Sequence, residues 1–121
     1  MLYAEWKIGE KEPLKLRLRA KDCVQLEKTL GTNPLNIMVH METKEELPEL
    51  ASIIAILHAS MQACHHGIKM DDVLNYYDEY IEAGGSQMEL LEVVADIFDV
   101  SGFLPKDRKD EESEKNAAGA E

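Results

Sequence analysis

The sequence contains few of the residues on which covalent or metal-dependent chemistry relies. Only two of its 121 residues are cysteines, Cys23 and Cys64, and they lie far apart in the chain. Since they do not stand at metal-ligand spacing, neither a disulfide scaffold nor a zinc module is predicted, and a reducing compartment is indicated. The chain also lacks GxGxxG, Walker, GxSxG and HExxH patterns. We therefore predict a protein that is not an enzyme and uses no cofactor.

Long apolar runs are also missing. The longest apolar segment, LASIIAILHASMQAC (50–64), has 15 residues and contains a histidine. A membrane-spanning helix needs roughly 20 apolar residues, so we expect no membrane partner. The first residues, MLYAEWKIGEKE, have neither a basic region nor an apolar stretch of the kind found in a signal peptide. The sequence thus predicts a cytoplasmic protein.

Basic residues are outnumbered by acidic ones, 13 to 24, which gives a formal net charge of −11. Residues 105–121 hold six acids and four bases, so a charge of −9 belongs to residues 1–104. Such a domain repels phosphate backbones, and no nucleic-acid partner is expected. The acidity fits two interpretations, which are solubility of a small domain and recognition of a basic protein.

Two short segments near the N-terminus alternate between apolar and polar residues. They are LYAEWKI (2–8) and LKLRLR (14–19), and the turn residues Gly9 and Pro13 lie between them. This pattern predicts a β-hairpin, which is marginal alone and must pack on helices. Leu14, Leu16 and Leu18 are expected to face the core, and Lys15, Arg17 and Arg19 to face water.

From Lys21 onward the apolar residues follow helical spacing. Helices are predicted over 21–30, 34–39, 48–66 and 70–83, and from Ser86 to Gly102. The 48–66 helix is apolar on most sides, so we place it in the centre of the fold. The predicted fold class is α+β and mainly helical, with the hairpin packed on about four main helices.

Residues 1–104 are predicted to form a single domain. Residues 105–121 contain no large apolar side chain. Such a segment cannot bury enough surface to offset its conformational entropy, so we predict a disordered acidic tail.

Two clusters deserve comparison with known site chemistry. His58, Cys64, His65 and His66 are close in sequence, but their helical positions do not converge on one point as metal ligands must. We interpret His65 and His66 as residues of the last helical turn. The acids between 71 and 82 lie on predicted outward faces without a base or nucleophile beside them. No catalytic residue and no metal ligand is predicted.

The last helix has an unmixed row of acids, formed by Glu89, Glu92, Asp96 and Asp99. Their spacings are three, four and three residues, so successive acids are neighbours on the same side of the helix. Like-charged neighbours destabilise a helix by roughly 0.2–0.5 kcal/mol per pair, or about 1 kcal/mol for the row. The row is explained either as a solvated face or as a surface for a basic partner.

The order of motifs along residues 13–104 resembles a known family. The motifs are a basic strand leading into LEK.LG.NPL, then ILHASMQ...HGI, DEY.E.GGS and LL.V...F.VSGF. Together they resemble the tail assembly chaperones of long-tailed (siphovirus-type) phages and prophages of Gram-positive bacteria. The motifs are structural rather than catalytic.

The resemblance implies a non-enzymatic chaperone that acts in the host bacterial cytoplasm and is absent from the mature virion. Its implied partners are the tape measure protein, which it keeps soluble, and the tail tube protein, which it recruits. A homo-oligomer and a longer frameshifted form are further expectations of the resemblance. Glu114, Lys115 and Asn116 can be encoded by GAA AAA AAC, which would contain the slippery heptamer A AAA AAC and fit that longer form.

The predicted binding surface lies on the last two helices, and a self-association role is assigned to two strand arginines. The surface residues are Tyr76, Tyr80, Met88, Leu91, Glu92, Asp96 and Asp99, and the arginines are Arg17 and Arg19. A second hypothesis is a small acidic phage regulator that mimics nucleic acid and inhibits a basic host protein. A third, an enzyme, would require a cleft with converging polar groups.

Overall fold

The computed structural model describes residues 2–44 and 46–104. Within these residues, two strands are followed by five helices. The predicted α+β, mainly helical fold with an N-terminal hairpin is therefore confirmed. The predicted disordered tail lies outside the described residues. The elements are β1 (Ala4–Trp6), β2 (Leu14–Leu16), α1 (Ala20–Leu30), α2 (Leu35–Lys44), α3 (Leu50–Met61), α4 (Met70–Glu82) and α5 (Gln87–Val100).

The hairpin is shorter than its alternating segments suggest. β1 and β2 pair antiparallel with Ala4 opposite Leu16 and Trp6 opposite Leu14. The alternation extends past the paired residues, since Ile8 and Leu18 are buried as well. One face of the hairpin therefore packs on the helices along its whole length, as expected from the period of two.

Helix α3 is the centre of the domain. Ile53, Ile56, Leu57 and Met61 have no exposed surface. α1, α4, α5 and β2 all contact this helix, which explains why its sequence is apolar on most sides. None of the helices in residues 2–44 and 46–104 combines the length and the apolar content needed to cross a bilayer.

Two helix boundaries differ from the sequence prediction. The sequence predicts an acidic loop over HMETKEEL (40–47), but α2 continues to Lys44. α3 ends at Met61, so His65 and His66 do not lie in its last turn. The chain turns there because the amides of Cys64 and His65 both donate to the carbonyl of Met61. The ring Nε2 of His58 then lies 3.0 Å from the carbonyl oxygen of Ile68 and fixes the turn that leads to α4.

Hydrogen bonds from Arg17 and Leu18, which follow β2, link the hairpin to the C-terminal end of α5. The Arg17 guanidinium donates to the carbonyls of Val100 (2.7 Å) and Leu2 (2.9 Å). The amide of Leu18 donates to the hydroxyl of Ser101 at 2.9 Å. The VSGF motif at the end of α5 therefore contacts the segment between β2 and α1, and these hydrogen bonds join the two ends of the domain.

The junction between α4 and α5 is built around Tyr80. Its ring contacts the Trp6 ring edge to face, with 5.6 Å between centroids, and its hydroxyl donates to the carbonyl of Ser86 at 3.1 Å. A Cβ atom on Gly85 would collide with the Tyr80 ring. The hydroxyl of Ser86 accepts from the amide of Glu89 and caps α5. The GGS sequence thus leaves room for the ring and begins the next helix.

Burial shifts the titration of the same tyrosine. Desolvation raises the pKa of the Tyr80 phenol, and the carboxylates of Glu89 and Glu92 raise that pKa further. The Tyr80 hydroxyl donates its hydrogen bond to the Ser86 carbonyl from this buried position. The helical spacing of residues 70–83 predicts that Ile81 faces inward with Val73 and Tyr80, but 40% of Ile81 is exposed.

We predict that Gly85→Ala lowers the free energy of unfolding by about 1–3 kcal/mol, because the added methyl overpacks against the Tyr80 ring. The double variant Tyr80→Leu with Gly85→Ala should lose less stability than the sum of the two single variants. Urea unfolding of all four proteins measures this. Strictly additive losses would show that the two residues do not compete for space.

We predict that Tyr80→Phe costs about 0.5–1.5 kcal/mol near neutral pH, through the lost hydrogen bond. The folded-state pKa of Tyr80 lies above its unfolded value of about 10, so its contribution is complete below that pH and declines above it. The stability gap between the two proteins should therefore narrow as the pH rises above about 10. Thermal unfolding followed against pH tests this, and the other three tyrosines are common to both proteins. A constant gap contradicts it.

Candidate functional site

The charge of the domain is divided unevenly along the chain. Residues 1–69 hold nine acids and nine Lys or Arg residues, whereas residues 70–104 hold nine acids and no Lys, Arg or His. The whole excess of −9 therefore belongs to α4, α5 and their connections. The acids of 70–104 are Asp71, Asp72, Asp78, Glu79, Glu82, Glu89, Glu92, Asp96 and Asp99. A running sum of charge along the sequence reveals this division, which local motif reading missed.

Helix α5 separates its apolar and acidic residues onto opposite sides. Its inner side is completely buried and consists of Leu90, Val94, Ile97 and Phe98. On the outer side, Glu92 and Asp96 are exposed, and Met88 is 61% exposed. Met88, Glu92, Asp96 and Asp99 follow one another at four, four and three residues, so they share one side of the helix. We call these four residues the α5 acidic face.

Few of these carboxylates are neutralised within the domain. Glu79 forms an ion pair of 3.0 Å with Lys11, and both side chains are largely exposed, so the pair contributes little. Within residues 2–44 and 46–104, Glu92 and Asp96 form no salt bridge. Asp99 interacts with other groups of the domain. Glu92 and Asp96 therefore provide the two unneutralised charges of the α5 acidic face.

The remaining residues of the predicted binding surface lie deeper. Tyr80 is buried and belongs to the core, so the surface does not include it. Tyr76 and Leu91 are partly buried and pack against the core. The structure thus brings Met88, Glu92 and the two aspartates together on one helix and assigns the aromatic residues to packing.

Both predicted self-association arginines contact their own chain. Arg17, which was expected to face water, bridges the carbonyls of Leu2 and Val100 as described above. Arg19 forms an ion pair of 2.8 Å with Asp22 in the first turn of α1. This hydrogen-bonded carboxylate raises the pKa of the Arg19 guanidinium. The structure explains both arginines as parts of the monomer, and their role in self-association stays a prediction.

The histidine-rich segment does not form a metal site in the described structure. Among residues 2–44 and 46–104, no three His, Cys, Asp or Glu side chains are grouped so that they could hold a metal ion. His58 instead stabilises the turn after α3, and His66 is exposed. Between α1 and α3 lies an open cleft of about 170 Å³ whose lining includes Gln25, Leu26 and Ala59. Asp22 and His58 also line this cleft, and they bond to Arg19 and to the Ile68 carbonyl respectively.

Comparison with known proteins identifies a family but not an activity. No curated protein matches the chain, and no solved structure matches it. One family model matches residues 5–120, which is nearly the whole sequence and includes every element from β1's second residue to the end of α5. The chain therefore belongs to the family of unknown function designated DUF6096.

Proposed function

We propose that this protein is a phage tail assembly chaperone that binds the tape measure protein non-covalently and helps to recruit tail tube subunits. It acts in the host bacterial cytoplasm and is not retained in the mature virion. The observation that carries the proposal is the α5 acidic face, where the carboxylates of Glu92 and Asp96 are exposed on a helix whose other side is fully buried. The motif order along residues 13–104 supports it.

The arrangement of α5 suits reversible binding to a basic protein. Its inner side fixes the helix on α3 and β1, so the outer side is presented without a cost of ordering. The like-charged spacing of Glu92 and Asp96 destabilises the helix, and a basic partner would remove that repulsion. Long-range attraction would accelerate encounter, and salt would weaken it. These properties fit a chaperone that must later release its client.

The same row favours one other candidate function. Carboxylates at successive helical turns are about 6 Å apart along the axis, which gives a regular line of negative charge. A small acidic regulator that mimics nucleic acid would use such a line to occupy a basic host protein. Isolation of partners from host lysate separates the two functions, because the regulator would retain a nucleic-acid-binding protein and the chaperone would retain tail proteins.

We predict that the chain keeps the tape measure protein of its own gene cluster soluble when both are co-expressed. Glu92→Gln with Asp96→Asn should weaken the purified complex about 2–30-fold, because two exposed ion pairs contribute about 0.4–2 kcal/mol together. The soluble fraction of the tape measure protein and its retention on a tagged chain are the measurements.

The matched control is Glu27→Gln with Glu42→Gln, which removes the same charge from exposed positions on α1 and α2. It should leave solubility and retention near their original values. Equal losses in both variants would mean that overall charge matters and the α5 acidic face does not. An unaltered chain that fails to bring the tape measure protein into solution would overturn the proposed function.

A further inference from the structure

Helix α4 exposes a line of large apolar side chains that the core does not use. Met70, Leu74 and Ile81 are 39%, 43% and 40% exposed. Val73 and Tyr80, on the neighbouring side of the helix, are buried and supply its contact with the core. We call Met70, Leu74 and Ile81 the α4 stripe.

The α4 stripe has the length and spacing of a helix-packing surface. Its residues are four and seven positions apart, so they lie on one side over about 16 Å of helix. Half-buried Tyr77 completes a spacing of four, three and four residues, which is the pattern of a helix that packs along another helix. At one end, Met70 also lines the cleft between α1 and α3, where Leu26 and Ala59 provide apolar surface. The apolar surface therefore continues beyond α4.

Carboxylates border the α4 stripe along its solvent side. Asp71, Asp78 and Glu82 are all exposed, and each lies one or four positions from a stripe residue. No Lys, Arg or His occurs between residues 70 and 104 to balance them. Within residues 2–44 and 46–104, Asp71, Asp78 and Glu82 form no salt bridge, so a ligand that covers the α4 stripe must place its own polar groups beside these carboxylates.

We propose that the α4 stripe is a docking site for a basic amphipathic α-helix of a partner protein. The apolar side of that helix covers Met70, Leu74 and Ile81, and Lys or Arg residues beside it face Asp78 and Glu82. This is the helix-in-groove mode of recognition, in which apolar anchors give affinity and charged edges give orientation.

Charge argues against the other occupants. Two copies of this chain joined through the α4 stripe would bring two acidic edges together, each from a chain with a formal charge of −11. An anionic membrane surface would be repelled for the same reason. The inference goes beyond the proposed function and does not rest on it, because the test below uses no phage protein.

The test measures binding of a synthetic helical peptide to the whole chain. The probe has about 18 residues, enough to cover the stripe, with Leu at positions a and d of each heptad, Lys at e and g, and Ala elsewhere. Fluorescence anisotropy of the labelled peptide, at low and moderate salt, gives the affinity. We expect saturable binding that weakens as salt rises, and no binding of a peptide with Glu in place of Lys.

Two variants of the chain locate the site. Leu74→Ser with Ile81→Ser should weaken binding at least tenfold, since it removes two apolar anchors. Asp78→Asn with Glu82→Gln should weaken it several-fold and reduce its dependence on salt, and this variant leaves the apolar packing intact. The control, Val24→Ser with Leu47→Ser, alters two apolar residues elsewhere that are more exposed than Leu74 and Ile81, and it should bind like the original chain. Circular dichroism confirms that each variant is folded.

Several results would overturn the proposal. One is tight binding of a peptide that has the same composition but whose Leu residues do not lie on one side of the helix. Such binding would indicate attraction by charge alone. Another is an equal loss of binding in the control variant, or an unchanged affinity in both site variants. A third is sedimentation of the chain alone as a dimer that Leu74→Ser with Ile81→Ser dissociates, because the stripe would then bind a second copy.

Discussion

The fold depends on one constraint, which is that helix α3 is apolar on most of its surface and must be covered on every side. Ile53, Ile56 and Leu57 are fully buried, and no single neighbouring element can bury all of them. The chain meets the constraint by placing α1, α4, α5 and the hairpin around α3. Each surrounding element therefore packs an apolar inner side on α3 or on its neighbours. Their outer sides are free to carry the charge that distinguishes one half of the chain from the other.

The motifs that make the sequence recognisable position this shell around α3. Gly31 adopts a left-handed conformation at the end of α1 and directs the chain into α2. His58 and Arg17 form hydrogen bonds with carbonyl groups of the chain, and Tyr80 forms one at the α4–α5 junction. These residues fix angles between elements. Those angles also determine which faces of α4 and α5 point outward.

Much of this architecture could be predicted from the sequence because it follows from local patterns. α4 matches its expected segment to within a residue, and α5 begins after Ser86 as its capping spacing indicates. The early end of α3 could not be predicted, since apolar spacing continues past Met61 and the turn there is held by hydrogen bonds to the carbonyls of Met61 and Ile68. The exposure of Ile81 also depends on tertiary packing, since Val73 and Tyr80 are the α4 residues that the core buries.

The candidate site was only partly predictable for the same reason. The acidic spacing of Glu92 and Asp96 is visible in the sequence, and their exposure follows from the apolar residues on the other side of α5. The burial of Tyr80 and the bridging role of Arg17 require the hairpin to meet α5, which no local pattern specifies. The neutrality of residues 1–69 against the nine acids of 70–104 is fully present in the sequence. This division becomes informative once α4 and α5 are known to expose most of these acids to solvent.

The central claim, that this chain acts by binding a basic protein through its acidic helices, can be tested by carboxylate footprinting. Carbodiimide coupling of glycine ethyl ester, read by peptide mass spectrometry, reports the accessibility of each Asp and Glu with and without the tape measure protein. The account predicts that labelling of Glu92 and Asp96 falls in the complex, and labelling of Glu27 and Glu42 does not change. A complex in which Glu92 and Asp96 remain fully labelled, with protection at Glu27 and Glu42 instead, would contradict it.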